Sequence, residues 1–161
     1  MKSGVIGALI AAAYFALVPH LYFSGGQEQT IEGRVIVVAE GDALTLNNAG
    51  ARVAVRLSNI DAPELGQPYG VQSRESLAAL ALGKTLRCRE NGRDRFGQPA
   101  WRCSAEKIDV NAEQVRRGMA WAFARYRNDD AMQTLHDDAR AAKRGLWKDP
   151  GAIAPWSWSS L

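Results

Sequence analysis

Hydrophobic and polar residues alternate in the first part of the domain, as they do in β-strands that bury one face. In the clearest run, Val53, Val55 and Leu57 share one face of the predicted strand and Arg56 lies on the other. Turn-forming Gly, Asp and Asn residues separate the runs. The pattern predicts a β-meander with strands at residues 31–38, 43–46 and 52–58.

Farther along the chain, the spacing of apolar residues lengthens to three or four, which indicates helices. Leu77, Leu80 and Ala81 follow this spacing in one segment, and Leu135 and Ala139 in another. Glycines placed after the segments would end the helices. The predicted helices cover residues 70–82, 110–117 and 129–143, and a β-hairpin covers residues 84–90 and 98–105. This order predicts an α+β fold, a five-stranded OB-type barrel with about three helices.

The first 26 residues form a separate apolar segment, which we expect to be helical. Residues 4–23 contain no Asp, Glu, Lys or Arg and follow Lys2. The stretch at residues 5–18 has the ~7–15 residue length of a signal peptide, whereas residues 4–23 reach the ~20 residues of a membrane span. We expect an exported protein, periplasmic, extracellular or membrane-anchored. Its residues 1–26 are then either a cleaved signal peptide or an anchor, and residues 27–161 form one domain.

Cys88 and Cys103 lie in the two strands of the predicted hairpin. A turn centred on Arg95 and Phe96 would set the two cysteines directly opposite each other. Exported domains fold where disulfides persist, so we predict a Cys88–Cys103 disulfide; the alternative is a pair of buried free thiols. With no histidine nearby, two cysteines do not form a zinc-binding pattern.

The composition limits the possible classes of protein, and the local charge indicates the kind of binding partner. Of 161 residues, 47% are hydrophobic and 23% charged, which excludes a disordered chain and a polytopic membrane protein. The net charge is only +3, but residues 84–107 hold seven basic residues against three acidic ones. This local excess favours a polyanion such as nucleic acid, although the solvated face of a hairpin would give the same pattern.

Carboxylates occur at two places that the predicted meander brings together. Asp42 lies in the first turn, whereas Asp61 and Glu64 follow the third strand. Clustered carboxylates repel unless a cation lies between them, and hard oxygen ligands suit Ca²⁺ or Mg²⁺. Arg56 adds a planar fork of donors for a phosphate. A metal, a phosphate-binding arginine and a carboxylate that can activate water are the components of phosphodiester hydrolysis.

The segments around these residues follow one another in a specific order and spacing. They are GD at 41–42, VRL at 55–57, IDAPE at 60–64, QPYG at 67–70, DRFG at 94–97, DVN at 109–111, VRRGMA at 115–120 and AKRGLW at 142–147. Together they closely resemble the staphylococcal-nuclease-like (thermonuclease) family, over about residues 31–158. The resemblance implies an OB-fold barrel with three helices that, in active members, cuts DNA and RNA using Ca²⁺.

The resemblance also implies roles for individual residues. Asp42, Asp61 and the backbone carbonyl of Ala62 correspond to ligands of one Ca²⁺. Arg56 corresponds to an arginine that stabilises the transition state, and Glu64 to the glutamate that orients or activates water.

Aromatic and basic residues near this site are candidates for contact with the substrate. We expect Arg95 and Phe96 in the hairpin turn, and Tyr126 after the second helix, to bind it. Trp121 has the ring to stack on a base, but in a domain of this size we expect it in the core. We also expect Trp147, Trp156 and Trp158 to pack the last helix and the tail against the barrel.

Gln98 is the main departure from the family pattern. The pattern DRYGR places a second catalytic arginine there, whereas glutamine has neither the charge nor the paired donors. Loss of one such donor lowers a rate by roughly 10²–10³. Arg102 lies on the same face of the predicted strand and is a candidate substitute. Ala43 replaces a threonine, and Phe96 a tyrosine, so each lacks a hydroxyl.

Two functions therefore remain. The first is a monomeric, exported or membrane-anchored, Ca²⁺-dependent endonuclease that hydrolyses DNA or RNA. The second is a weakened or inactive module on the same fold that binds nucleic acid or protein, because Gln98 is not arginine.

Overall fold

Five long strands close into a barrel in the computed structural model, which describes residues 29–94, 97–123 and 129–158. The predicted export segment, residues 1–26, lies outside these ranges. Within them, no helix has both the length and the apolar character to cross a membrane.

The barrel strands follow the predicted meander and hairpin. They are β1 (Thr30–Glu40), β2 (Ala43–Asn48), β3 (Ala51–Leu57), β5 (Thr85–Arg93) and β6 (Pro99–Ala105), with short strands β4 (Ile60–Asp61), β7 (Ile108–Asp109) and β8 (Trp121–Ala122). The order around the barrel is β3-β2-β1-β5-β6. A parallel pairing of β3 with β6, Arg56 opposite Ala100 and Leu57 opposite Trp101, closes it. The short β4 and β8 form a separate antiparallel pair, which we did not predict.

The three predicted helices are present within about two residues of their expected ends. They are α1 (Gly70–Ala81), α2 (Val110–Arg116) and α3 (Asp130–Ala141); a 3₁₀ helix (Gly145–Lys148) and a short α4 (Pro155–Trp158) follow. Asp109 and Asp129 cap α2 and α3, accepting bonds from the N–H groups of Ala112 and Met132. The expected α+β barrel with helices is therefore confirmed.

Alternation in the strands produces the core. Val55 and Leu57 point inward from β3 and are at most 2% exposed, whereas Arg56 points outward. Leu46 and Leu86 bring β2 and β5 into the same core. Burying one such side chain contributes roughly 1.5–3 kcal/mol, so this inward face fixes the register of the sheet.

The cysteine prediction is confirmed. Cys88 pairs with Cys103 across β5 and β6, and the two side chains form a disulfide inside the core. Toward the hairpin turn a bulge between Glu90 and Arg93 shifts the register by one residue. The turn itself, with Arg95 and Phe96, lies outside the described residues.

Aromatic rings join the C-terminal part of the chain to the region after α2. Trp121 is buried, as expected, and its ring lies edge-on to that of Trp147 with centroids 5.2 Å apart. Trp156 stacks on Phe123 at 4.9 Å. Trp158 lines a small pocket together with Trp121. The tail thus packs beside the β4–β8 pair.

Candidate functional site

The turn between β1 and β2 places a buried carboxylate at the rim of the barrel. Gly41 fills this turn because an added Cβ would lie 1.8 Å from Ser73 Oγ and 2.8 Å from Ala62 Cβ. The next residue, Asp42, has only 1% of its side chain exposed. Its Oδ2 accepts a hydrogen bond from the N–H of Ala62 at 3.1 Å, and its carbonyl accepts one from Leu57 at 2.8 Å.

Arg56 connects the carboxylates predicted to form the site. It lies opposite Ala43 on the outer face of β3, so its guanidinium reaches the turn. Nη2 lies 3.1 Å from Asp42 Oδ2 and 3.3 Å from Asp61 Oδ1. The expected convergence of Asp42, Asp61 and Arg56 is therefore present in the structure.

Glu40 is a further acidic residue at this position that our sequence analysis missed. It ends β1, and its Oε2 lies 3.7 Å from Arg56 Nη1. The available signal was the Glu-Gly-Asp turn, since a two-residue connection keeps the side chains at its ends at the same edge of the sheet.

Burial and charge act together on Asp42. Burial raises its pKa to about 7; Arg56 opposes this change, and Asp61 and Glu40 add to it. Burial lowers the pKa of Arg56, but the nearby Asp42, Asp61 and Glu40 raise it by more than burial lowers it. The pKa therefore lies above its ordinary value, and the guanidinium remains charged. When ionised, three carboxylates thus surround one cation, and their negative charge exceeds its positive charge.

These donors fit a hard cation such as Ca²⁺. Carboxylate oxygens are its preferred ligands, and a divalent ion would offset the charge left by Arg56. Within the described ranges, no three Asp, Glu, His or Cys side chains are already grouped as metal ligands. Arg56 lies among the carboxylates and bonds to two of them.

The loop that carries Glu64 is held by its backbone. The side chain of Glu64 is exposed, whereas its N–H donates to Gln67 Oε1 at 3.3 Å and its carbonyl accepts from the N–H of Gln67 at 2.8 Å. Gln67 Nε2 in turn donates to the carbonyl of Ile153 in the tail. The tail therefore helps to fix the backbone next to the predicted catalytic carboxylate.

The predicted substrate-binding residues are only partly described. Arg95, Phe96 and Tyr126 lie outside the described residues. Gln98 is exposed just before β6, and its backbone exchanges hydrogen bonds with Asp94. Gln98 lies two residues before Ala100, and Ala100 pairs with Arg56.

Arg102 belongs to a different cluster from Arg56. Its Nε lies 2.6 Å from Asp109 Oδ2 and its Nη1 2.5 Å from Asp129 Oδ2, so it joins the caps of α2 and α3. Burial raises the pKa of Asp129, but bonds from Met132, Arg102 and Asn59 outweigh burial and hold it below its usual value. The use of Arg102 as a substitute for an arginine at position 98 stays a prediction.

Residues 54–149 match the sequence profile of a family described as staphylococcal nuclease homologue. The chain belongs to this family. An uncharacterized endonuclease of Escherichia coli O157:H7 is 39% identical over 129 residues, covering 80% of this chain and 84% of the relative. A micrococcal nuclease of Shigella flexneri is 34% identical, covering 78% and 79%. Protein ParB of Escherichia coli is 33% identical, covering 98% and 94%.

The staphylococcal nuclease match covers only part of the site. It contains Arg56, Asp61 and Glu64, whereas Glu40 and Asp42 precede it. The end of β1 contributes Glu40 and the β1–β2 turn contributes Asp42, and both contact Arg56.

Proposed function

We propose that the protein is a nuclease that hydrolyses phosphodiester bonds of DNA or RNA with the help of Ca²⁺. The observation that carries the proposal is the contact of Arg56 with Asp42 and Asp61 at the barrel rim. Membership of the staphylococcal nuclease family and relatives named as nucleases support it.

Asp42 and Asp61 would hold the ion, with the backbone carbonyl of Ala62 as a further ligand and Glu40 as an additional negative charge beside it. When bound, Ca²⁺ supplies positive charge that stabilises the negative charge developing on the phosphate oxygens. Asp42 must be deprotonated to act as a ligand, so binding competes with its proton.

The chain itself supplies the remaining groups. Arg56 is 46% exposed, and its paired donors bind the phosphate oxygens more strongly as negative charge builds up on them. Glu64 is in contact with solvent and orients or deprotonates the attacking water. Both groups act from backbone positions fixed by the barrel and by Gln67.

Gln98 supports a second candidate function. Because glutamine contributes no charge at the position of the family's second arginine, the protein would bind nucleic acid or a protein with little or no cleavage. We favour a nuclease of reduced rate, since Arg56, Asp42, Asp61 and Glu64 are all retained.

We further propose that the protein works outside the cytoplasm as a monomer. A disulfide within the barrel suits an oxidising compartment, and residues 1–26 have the composition of an export signal or an anchor.

A nuclease assay tests the proposal. The full-length protein is incubated with single-stranded DNA or RNA in Ca²⁺ or in EDTA. We expect cleavage only in Ca²⁺, and a fall in kcat of roughly 10²–10³ in Glu64→Gln and in Arg56→Ala. Arg52→Ala is the matched control, because Arg52 is exposed on the same face of β3 but outside the carboxylate cluster. Cleavage by wild type that exceeds neither the EDTA background nor that of Glu64→Gln would instead support the binding module.

A further inference from the structure

Gln114 is a buried amide on α2 whose side chain has a partner for each of its hydrogen-bonding groups. The residue is 0% exposed and lies beside the fully buried Val115. Its Nε2 donates to the carbonyl of Gly41 at 2.8 Å and to that of Ser73 at 3.1 Å. Its Oε1 accepts a bond from Ser76 Oγ at 2.7 Å.

A buried amide is costly without partners, and with a full set it holds its neighbours in one arrangement. Here the neighbours belong to separate elements. Ser73 and Ser76 lie on α1, whereas Gly41 lies in the β1–β2 turn, 73 residues away from Gln114 in sequence. The amide therefore joins two helices to the turn that carries Asp42.

Gly41 is also confined on its other sides. Ser73 Oγ and Ala62 Cβ occupy the space where a side chain would be, and Ser73 is itself anchored because its Oγ donates to the carbonyl of Met119. The bond from Gln114 to the carbonyl of Gly41 opposes rotation of this peptide group. This peptide joins Gly41 to Asp42, so its rotation would turn the backbone of Asp42 and move its carboxylate.

We propose that Gln114 is a positioning residue for the cation site: by holding the carbonyl of Gly41, it fixes the direction of the Asp42 carboxylate. This inference rests on the proposed function. Ca²⁺ requires its oxygen ligands at about 2.3–2.6 Å, and carboxylates that repel each other would otherwise separate. Groups that orient metal ligands typically change metal affinity by 10–100-fold when they are removed.

Calcium affinity measured by calorimetry on the full-length chain tests this role without reference to catalysis. Gln114→Met keeps the length of the side chain and removes its donors, so the dissociation constant for Ca²⁺ should rise about 10–100-fold. Ser76→Ala is the matched control: it removes the bond to Oε1 and leaves both Nε2 bonds, and we expect a change of less than about threefold. An unchanged dissociation constant in folded Gln114→Met would overturn the proposal.

A second measurement applies if Gln114→Met does not fold. In the wild-type protein, the NMR signals of the Gln114 side-chain amide should shift as Ca²⁺ is added, because its partner Gly41 lies between two acidic residues of the site. Absence of any shift at saturation would contradict the proposal.

The two proposals can fail separately. Calcium binding that depends on Gln114 in a protein that cuts no nucleic acid would remove the nuclease function and keep the positioning role. If the protein cleaves nucleic acid but its calcium affinity does not depend on Gln114, the nuclease function stands and the positioning role is removed. A wild-type protein that binds no Ca²⁺ would remove the positioning role.

Discussion

Asp42 is buried, and it shares the Arg56 guanidinium with two other acidic residues, Asp61 and Glu40. Its pKa is raised from 3.8 to about 7, first by burial, and the folded protein therefore holds this proton more tightly than the unfolded chain does. The contribution of Asp42 to stability is accordingly full below about pH 4 and is lost as the pH rises to about 7. Calcium binding should show the opposite trend and strengthen as the proton leaves.

The pH dependence of stability tests this assignment. In EDTA, we expect wild type to lose about 2–3 kcal/mol relative to Asp42→Asn between pH 5 and pH 8, because asparagine does not titrate. Urea unfolding of both proteins at the two pH values gives the difference in their free energies of unfolding. Groups that titrate alike in both proteins cancel in this difference. Parallel profiles would mean that Asp42 titrates normally.

Gln98 is the residue at which a substitution should increase activity. If its lack of charge limits the rate, Gln98→Arg should raise kcat in Ca²⁺, by as much as roughly 10²–10³. Steady-state kinetics on single-stranded DNA measures the change. Gln133→Arg, an equal change of charge on the exposed face of α3, should leave kcat within a few-fold. A rate unaffected by Gln98→Arg would show that another group limits catalysis.

At the scale of elements, the β5–β6 hairpin holds the barrel together and the loops at its rim carry the chemistry. The disulfide joins strands that already pair in register, and both cysteines lie in the core. The acidic residues, by contrast, lie at the end of β1, in the β1–β2 turn and in β4. The disulfide that stabilises the barrel and the acidic residues of the site thus lie in different parts of the same barrel.

Removal of the disulfide should reduce stability while leaving the chemistry intact. The bond spans 15 residues, for which the chain-entropy model gives about 3 kcal/mol. We expect the double variant Cys88→Ala/Cys103→Ala to lose about that much in urea unfolding and to keep kcat within a few-fold at a temperature where it is folded. A reductant should destabilise wild type and have no effect on the variant. Equal stability of the two proteins would mean that the bond contributes nothing.

At the scale of the whole molecule, the site exists only in the folded chain. The site residues Glu40, Asp42, Arg56 and Asp61 belong to β1, the β1–β2 turn, β3 and β4, and barrel closure by the β3–β6 pairing fixes where β3 ends. A cation that binds this cluster therefore binds the folded state in preference to the unfolded state. Its binding free energy adds to the stability of the entire domain.

Calcium should consequently stabilise the protein against unfolding. At a concentration 100 times its dissociation constant, Ca²⁺ should raise the free energy of unfolding by about 2.7 kcal/mol. Denaturant unfolding in Ca²⁺ and in EDTA measures this gain. Asp42→Asn should lose most of it, whereas Glu32→Gln, which alters an exposed carboxylate of β1 paired with Arg87, should retain it. A gain of the same size in Asp42→Asn would place the ion elsewhere.

The sequence by itself determined the local features. The strict alternation around Val55 and Leu57 predicted β3 and its buried face. Apolar spacing and the glycines that follow marked the helices to within about two residues, since these signals act over one or a few turns. The symmetric placement of Cys88 and Cys103 about a turn predicted their pairing. Three of the residues now seen together, Asp42, Arg56 and Asp61, were also named in advance, because a meander is the simplest path between neighbouring strands.

Only the tertiary structure decided which distant groups share the site. Glu40 joined the cluster through the geometry of its turn. Arg102 lies between the caps of two helices, and its contact with the substrate stays a prediction. Gln114 reaches Gly41 across 73 residues, and no periodicity along α2 encodes that bond. Patterns of sequence report which face of an element is buried, whereas the partner on that face depends on the path of the whole chain.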